Sequence, residues 1–504
     1  MSEQVHREAP AARAESPAAV RVAHRKLVLT AMMATILITA IEGTIVATVM
    51  PQLVGALGGF DLFSWVFTAY LLTQGVTIPI YGRLADLYGR KLMLLICIGL
   101  FLVGSVACGF AWSMLSLVCF RVVQGTGAGG LIPLSQTIVG DIYTPAERAR
   151  LQGWLSTIWA MGSIVGPLLG AFLVAYTVWP MVFWINVPIG VIAAALIVLW
   201  LHENVQQRRH RIDYLGSLLL MMGTGVLMFA LVQATHLRPA ALATLVGASL
   251  ALLVLFFLHE RRSPEPMLPL TLLRNRVVAG ANLTCFALGA IIIGGTAFLS
   301  LYVQGVMGRS ALIAGIVLTT PSVTWSIGST FGGWLMLRTS YRVTAAVGVA
   351  PLLVGCFLLV LLDPSRGPLF AGLGATFVGV GMGLTNNTFT VAIQGSVGWA
   401  QRGMATSTMS FTRIIGQALG AALFGGTINA ELTRAGAGAG IVDRIMDPAL
   451  RRTIAAADLA PLTNAIAIGL HDVYLITTAL ALVMLAASFF LPPGLNPHNG
   501  AATR

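Results

Sequence analysis

Charged residues are scarce in this chain. Only 10% of its 504 residues are Asp, Glu, Lys or Arg, whereas soluble domains carry about 25%. Hydrophobic residues make up 57% of the sequence, and the mean hydropathy is +0.86. A soluble protein is therefore excluded. We expect a multi-pass membrane protein whose apolar helices of about 20 residues cross the bilayer.

Other absences narrow the class further. The alternating polar and apolar segments of an outer-membrane β-barrel are missing, so the protein is expected to be all-α. The five cysteines lie in apolar runs without a CxxC pair, which argues against a disulfide framework or a metal site. The polar segments contain no Ser/His/Asp set, metal cluster or phosphate loop. We therefore expect no enzyme activity, no cofactor and no metal.

The net charge of +12 is unevenly distributed. If the N-terminus is cytoplasmic, most Lys and Arg fall in the loops on the cytoplasmic side of the predicted spans. This is the positive-inside distribution of membrane proteins and does not require a nucleic-acid partner. We expect a bacterial-type cytoplasmic (inner) membrane protein with both termini in the cytoplasm.

Fourteen apolar segments are predicted to be transmembrane helices. They lie at 27–50, 62–81, 92–112, 114–139, 151–176, 182–201, 213–233, 240–259, 277–302, 312–336, 343–362, 369–394, 403–427 and 470–491. Two polar, Arg-rich linkers bracket the seventh and eighth spans. The expected organisation is a cytoplasmic tail (1–26), a six-helix bundle (27–201), two extra spans with their linkers (202–276), a second six-helix bundle (277–491) with a long outer loop (428–469), and a cytoplasmic tail (492–504).

The two groups of six spans show faint internal similarity. The glycines of Gly125–Gly130 are matched by those of Gly379–Gly383, and the small residues of Gly162–Gly170 by those of Gly416–Gly425. Six-span halves related by a pseudo-two-fold axis are a transporter architecture. Glycine-rich stripes are also general packing surfaces in membranes, so this pattern alone leaves both interpretations open.

Glu42 is an acid deep inside the first apolar run. An ionised carboxylate at such a depth costs about 3 kcal/mol on insertion scales, and more in simulations. Such a group is expected to be paired, protonatable or turned toward a water-filled cavity. The sequence therefore indicates movement of protons, cations or both.

Arg121 lies within the fourth span, in the sequence Arg121-Val-Val-Gln124-Gly125. It is about seven residues inside the span, or about 10 Å at the rise of an α-helix, and Glu42 lies at a similar depth in its own helix. A Glu42–Arg121 pair, direct or through water, is therefore feasible.

These segments resemble a known family. Gly82-Arg-Leu-Ala-Asp86-Leu-Tyr-Gly89-Arg90-Lys91 resembles the signature loop of the major facilitator superfamily, and Arg121–Gly125 resembles its RxxQG motif. The resemblance implies that Gly82, Asp86, Gly89 and Arg90 form a conformational gate, with Asp86 facing Arg90 and a helix N-terminus. It also implies that Arg121 takes part in proton coupling with Glu42.

Two further motifs narrow the resemblance to one branch. Gly162, Gly166, Pro167 and Gly170 fit the antiporter signature GxxxGPxxGG, although Ala171 replaces its last glycine, and they imply a bend in span 5. The stretch 40–51 resembles the LDxTIVNVALP motif of fourteen-span drug:proton antiporters of the EmrB/QacA type. Glu42 occupies the usual Asp position, and Ala47 replaces the Asn. Residues 183–190 resemble the family's entry to span 6.

The resemblance implies an exporter of hydrophobic or weakly cationic drugs, driven by the proton gradient and working by alternating access. Its expected partners are small amphipathic compounds, protons and the bilayer; we expect a monomer, and a periplasmic adaptor stays open. A dedicated exporter of one metabolite, antibiotic or lipid is the alternative, and an importer fits the span 5 motif less well. The candidate substrate contacts are Trp65, Tyr70, Trp159, Asn282, Tyr302, Trp325, Asn386, Asn387 and Arg413.

Overall fold

The computed structural model describes residues 25–143, 145–203, 213–234, 237–263, 270–397, 402–436 and 456–491, together with residues 443, 445 and 451. Within these ranges the ordered elements are helices, and no strand occurs. The expected tails lie outside the described residues, except for residues 25 and 26. The prediction of an all-helical protein is therefore confirmed for the described part.

The first half of the chain forms seven helices. They are α1 (Arg25–Leu57), α2 (Phe63–Tyr88), α3 (Arg90–Gly109), α4 (Met114–Ile142), α5 (Pro145–Tyr176), the short α6 (Met181–Trp184) and α7 (Asn186–Trp200). A single 3-10 turn, Phe60–Leu62, precedes α2. The extra pair follows as α8 (Tyr214–Val232) and α9 (Pro239–Glu260).

The second half begins with the short α10 (Leu270–Leu273) and continues through a long, irregular span. This span consists of α11 (Arg276–Ile293), a π-helix (Gly294–Phe298), α12 (Leu299–Leu301) and a second π-helix (Tyr302–Val306). The remaining helices are α13 (Ala311–Arg338), α14 (Tyr341–Val360), α15 (Gly367–Ser396), α16 (Arg402–Arg434) and α17 (Ala456–Ser488). π-Helical turns are rare and often mark functional positions.

Thirteen helical segments in the described ranges are long and apolar enough to cross a membrane. They correspond to the predicted spans except the one at 403–427. That segment forms the 33-residue α16, which is long enough but less apolar. It packs against α2, α8, α11, α15 and α17. A helix with protein on so many sides needs little of the apolar surface that lipid contact requires.

The helix contacts repeat between the two halves. α1 packs against α5 and α7 in the same way that α11 packs against α16 and α17. The α2–α4 and α3–α4 contacts likewise recur as α13–α15 and α14–α15. The halves meet through α2 against α16 and α5 against α13, which are again equivalent pairs. The faint internal repeat of the sequence is therefore a structural one.

The extra pair lies against the seam between the halves. α8 packs on α9, and its other neighbours are α2 from the first half and α16 from the second. The pair therefore adds to the two six-helix bundles without replacing any of their contacts.

The outer loop is shorter than expected. We predicted a loop over 428–469, but α16 continues to Arg434 and α17 begins at Ala456. The helix ends beyond the apolar core carry polar groups such as Asn429 and Glu431, and a helix satisfies its own backbone whether or not lipid surrounds it. The amphipathic stretch expected at 441–454 lies outside the described residues except for 443, 445 and 451.

Glycines set the closest approaches between helices. A Cβ on Gly166 of α5 would lie 2.0 Å from Thr44 Oγ1 on α1, and a Cβ on Gly162 would lie 2.6 Å from the Ala40 Cβ. In the second half, a Cβ on Gly416 of α16 would lie 2.1 Å from the Phe286 carbonyl oxygen of α11. Only glycine allows these helix pairs to approach so closely.

We expect Gly166→Ala to separate α1 from α5 and to destabilise the protein by about 1–3 kcal/mol, the usual cost of overpacking. Thermal unfolding of the purified protein in detergent measures the effect. Gly99→Ala is the matched control, because a Cβ at Gly99 of α3 meets nothing within 4 Å. An equal loss of stability in both variants would contradict the close-packing role of Gly166.

Candidate functional site

Glu42 and Arg121 form an ion pair in the interior of the first bundle. Arg121 Nη1 donates to Glu42 Oε1. The two residues are 1% and 2% exposed, respectively. The pair joins α1 to α4, and it is the direct form of the pair that the matching depths made feasible. Because buried charges are costly unless each is compensated, the surrounding polar groups decide whether this pair is stable.

Several polar groups satisfy the Arg121 guanidinium. Nη1 donates to Gln124 Oε1 at 2.6 Å, and Nε donates to the Val66 carbonyl oxygen of α2 at 3.1 Å. The guanidinium carbon also lies 4.0 Å from the centre of the Tyr70 ring, a cation–π distance. The arginine is therefore held by α1, α2 and its own helix together.

The second oxygen of Glu42 is also occupied. Asn186 Nδ2, on the first residue of α7, donates to Glu42 Oε2 at 2.7 Å. Asn186 belongs to the 183–190 segment that resembles the family, but no role was predicted for it. A polar amide at the start of a long apolar span was the signal that could have found it.

A hydrogen bond from its amide nitrogen orients the Gln124 side chain, so that its oxygen faces Arg121. Gln124 Nε2 donates to Ser105 Oγ of α3 at 2.8 Å. The register of α4 itself begins at Ser113 and Ser116, whose side chains form a reciprocal capping box. The charged pair thus lies within a network that ties α1, α2, α3, α4 and α7.

The residues of the predicted antiporter bend in α5 pack against the turns of α1 that carry Glu42. Pro167 is inside the continuous helix α5, and the glycines at 162, 166 and 170 face α1 at Ala40, Thr44 and Ile45. These three residues surround Glu42 on the same two turns of α1. α5 also contacts the other half, because a Cβ on Gly315 of α13 would lie 2.8 Å from the Pro167 carbonyl oxygen. Movement of α5 relative to α13 would therefore be transmitted to the turns that carry Glu42.

The described contacts of the predicted gate involve two further carboxylates, Asp141 and Glu203. Arg90 forms an ion pair with Asp141 at the end of α4. The carboxylate at the N-terminus of α3 is Glu203, which accepts from the backbone N–H groups of Arg90 at 2.9 Å and Lys91 at 2.8 Å. An anion is favoured at that position by the helix dipole. The side chain of Asp86, to which we assigned this position, lies outside the described residues.

The two gate glycines have different surroundings. Gly89 has φ +93° and ends α2 immediately before α3 begins. This conformation favours glycine and lets the two helices meet in a tight turn. Gly82 is exposed, and a Cβ there would meet nothing within 4 Å.

Four candidate substrate contacts lie on α5, α13 and α15, and three of them have defined partners. Trp159 of α5 and Trp325 of α13 face each other across the two halves, with ring centres 6.2 Å apart. Asn387 Nδ2 donates to the Ser329 carbonyl oxygen at 3.0 Å, whereas the buried Asn386 Oδ1 has no hydrogen-bond partner among the described residues. Trp159 and Trp325 therefore lie where α5 meets α13, and Asn387 lies where α13 meets α15.

The other candidate contacts are spread through the molecule. Asn282 accepts from Thr412 Oγ1 at 2.9 Å, which places it beside the half-buried Arg413. The Tyr70 ring packs on the Arg121 guanidinium. Trp65 packs on Phe229 of the extra pair, with ring centres 6.3 Å apart. Tyr302 is 2% exposed and donates to the Leu362 carbonyl oxygen at 3.0 Å. The structure therefore does not gather all nine candidates in one place.

One end of the bundle is closed by contacts between the halves. Gln304 Nε2 donates to the Thr48 carbonyl oxygen at 2.7 Å, and Ser300 Oγ donates to the same oxygen at 3.4 Å. The Gln52 side chain donates to Gln304 Oε1. The π-helix at Tyr302–Val306 therefore holds α1 at this end, which we call the Gln304 end.

Residues of the connection between α16 and α17 also bind at the Gln304 end. Asp443 accepts from the backbone N–H groups of Gly59 at 3.1 Å and Phe60 at 3.0 Å, in the first half. Arg451 donates to the carbonyl oxygen of Gly305 at 2.6 Å, in the second half. An acid at a helix start and a base at a helix end are both favoured by the helix dipole.

At the opposite end, which we call the Arg90 end, the described polar contacts join elements of the same half. Arg90–Asp141 and the Glu203 bonds lie in the first half. Arg342 Nε donates to the Leu491 carbonyl oxygen at 2.8 Å within the second half. The two ends of the bundle thus differ in how they hold the halves together.

Comparison with known proteins gives a consistent result. A family model described as Major Facilitator Superfamily matches residues 32–421. The chain is 34% identical over 406 residues to multidrug resistance protein 3 of Bacillus subtilis, which covers 80% of this chain and 79% of that protein. It is 33% identical over 410 residues to the multidrug transporter protein MdtP of the same organism, with 81% and 76% covered. Among solved structures, an inward-facing, unoccupied bacterial homologue of the human lysosomal transporter Spinster has a TM-score of 0.68 at 17% identity, with 93% and 98% covered.

The pair can be tested by a double-mutant cycle. We expect Arg121→Met to destabilise the protein by about 3–5 kcal/mol, because it leaves the buried Glu42 charge uncompensated. Combining it with Glu42→Gln should recover part of that loss, since the charge is then removed as well. Thermal unfolding in detergent gives the four stabilities.

Arg413→Met is the control, because Arg413 has no carboxylate partner among the described residues. A strictly additive cycle, with no recovery in the double variant, would show that the two charges do not interact.

Proposed function

Because the chain belongs to the major facilitator superfamily, we propose that it is a proton-coupled antiporter that exports hydrophobic or weakly cationic drugs by alternating access. The observation that carries this proposal is the buried Glu42–Arg121 pair. The printed names of the two Bacillus relatives, multidrug resistance protein and multidrug transporter, support drugs as the substrate class. The fourteen-span arrangement of the antiporter branch and a location in the inner membrane belong to the same proposal.

The chemistry follows from what protonation does to the pair. With Glu42 ionised, its two oxygens are held by Arg121 and Asn186. A proton on Glu42 removes the charge that compensates Arg121, whose remaining acceptors are Gln124 and the Val66 carbonyl oxygen. The arrangement of the five helices around the pair therefore differs in energy between the two protonation states, which is the requirement for coupling.

The direction of movement follows from the two ends of the bundle. We assign the Arg90 end to the cytoplasm, because the positively charged loops follow the positive-inside rule. The Gln304 end then faces outward, and the contacts that close it belong to an inward-facing arrangement. Export requires these contacts to break, outside protons to reach Glu42, and the halves to rock about α2–α16 and α5–α13.

Substrate selectivity is proposed to arise where α5, α13 and α15 meet. The facing indoles of Trp159 and Trp325 offer apolar and cation–π contacts that tolerate ligands of different shape. The one deep acid predicts a single proton per cycle through Glu42, and hence a substrate that is neutral or of low positive charge.

A dedicated exporter of one metabolite, antibiotic or lipid is the second candidate. The Gly-Pro motif of α5 and the Glu42–Arg121 pair fit it equally well, since neither determines the chemical class of the exported compound. Resistance of an expressing strain to a panel of unrelated dyes and antibiotics distinguishes the two, because a dedicated exporter protects against one chemical class.

Proteoliposomes test the coupling directly. We expect Glu42→Gln to abolish drug transport driven by a pH gradient, because the side chain can no longer exchange a proton, while drug binding persists. Glu431→Gln is the control; Glu431 pairs with Arg434 near the end of α16, away from the site. Full transport by Glu42→Gln with an unchanged pH dependence would refute the proposed role.

The closed end gives a second test. We expect Gln304→Ala to favour the outward-open state, because it removes the bonds of Gln304 to Gln52, Ser300 and the Thr48 carbonyl. In a cysteine-free background, a membrane-impermeant maleimide should then label Thr48→Cys several-fold faster, since Thr48 is fully buried in the closed arrangement. Gln394→Ala, at the Arg90 end, should leave the rate unchanged. Equal rates in all three proteins would exclude a gating role for Gln304.

A further inference from the structure

α9 has the least protein contact of the spanning helices in the described ranges. Only 11% of the most apolar stretch of α9 is buried inside the protein, and its main neighbour is α8. Val254, Phe257 and Leu258 are about half exposed on its last two turns. This surface therefore faces lipid on the edge of the extra pair.

A groove lies at the Arg90 end of α9. Its volume is about 450 Å³, and it lies between the end of α9 and the segment that leads into α11. The groove is lined by Val254, Phe257, Leu258, Arg261, Leu273 and Arg274. Its apolar wall thus continues the lipid-facing surface of α9, and its two remaining lining residues are arginines.

The two arginines have no carboxylate partner among the described residues. Arg261 and Arg274 are both exposed, and neither takes part in a described ion pair. Asp213 Oδ1 instead lies 2.7 Å from His259 Nε2 and accepts from the Gly216 N–H at the start of α8, and its Oδ2 is buried. Within the part of the chain that the structure describes, the groove therefore presents two arginines without a carboxylate partner, beside an apolar wall at the end of a membrane-spanning helix.

We infer that this groove binds an anionic phospholipid. An acyl chain would lie along Val254, Phe257 and Leu258, and the phosphate would lie between Arg261 and Arg274. Guanidinium groups bind phosphate through paired hydrogen bonds, and basic pockets between membrane helices on the cytoplasmic side favour anionic head groups. A zwitterionic lipid fits less well, because its own cation offsets the attraction.

The lipid would connect parts of the protein that share few contacts. Arg261 follows α9 of the extra pair, whereas Leu273 and Arg274 lead into the second six-helix bundle. A phosphate held by both arginines would fasten the edge of the extra pair to that bundle. This role is independent of the transported substrate and of the proton pathway.

Native mass spectrometry and thermal unfolding of the purified full chain test the inference. Delipidated protein is titrated with phosphatidylglycerol and, separately, with phosphatidylcholine. We expect phosphatidylglycerol to be retained more strongly and to raise the melting temperature. In Arg261→Gln/Arg274→Gln its affinity should fall about 30-fold, if each arginine contributes as a basic residue near an anionic membrane does.

Two further variants separate this site from general charge effects. Arg238→Gln removes an exposed arginine that precedes α9 at its opposite end, and should bind phosphatidylglycerol as the native chain does. Arg261→Lys/Arg274→Lys keeps the charge without the paired donors, and should lose only part of the affinity.

Three results would overturn the inference. They are equal retention of both lipids by the native chain, unchanged affinity in the double Gln variant, and equal stabilisation by soluble glycerol phosphate. The last would identify a phosphate site that needs no lipid chain.

Discussion

The first bundle is organised around one buried charge pair. Glu42 and Arg121 are buried in the protein interior. Neither side chain could remain ionised there without compensating polar groups. Asn186, Gln124 and the Val66 carbonyl provide that compensation from α7, α4 and α2. The positions of these helices are therefore linked to the charge on one carboxylate. This link is the basis of the proposed proton coupling.

Close helix packing connects the Glu42 turns of α1 to the other half of the protein. α5 lies against the Glu42 turns through a row of glycines, and the same helix contacts α13 of the other half. The equivalent α11–α16 contact in the second half is just as close, with a Cβ on Gly289 falling 2.1 Å from the Arg413 carbonyl oxygen. That contact carries a basic residue and, among the described residues, no acid. The two halves thus share a backbone architecture but differ in electrostatics.

The sequence was sufficient for properties that depend on one helix alone, such as the depth of a residue in the membrane. A Glu42–Arg121 pair could be identified as feasible because helical rise alone sets the depth of each residue. The sequence was insufficient where partners come from distant segments. Glu203, which lies after α7, occupies the N-terminus of α3, and Asn186 completes the Glu42 site. The 428–469 loop was overestimated because polar residues at helix ends resemble loop residues in a hydropathy pattern.

The sequence by itself determined the class of protein, the spans, the depth of the buried charges and the family. These follow from composition, periodicity and local motifs, which depend on residues close together in the chain. Only the tertiary structure decided which polar groups satisfy Glu42 and Arg121, which end of the bundle is closed, and where a groove lined by two arginines forms. Each of these depends on side chains from separate helices meeting in space, and helix packing, not local sequence, sets those distances.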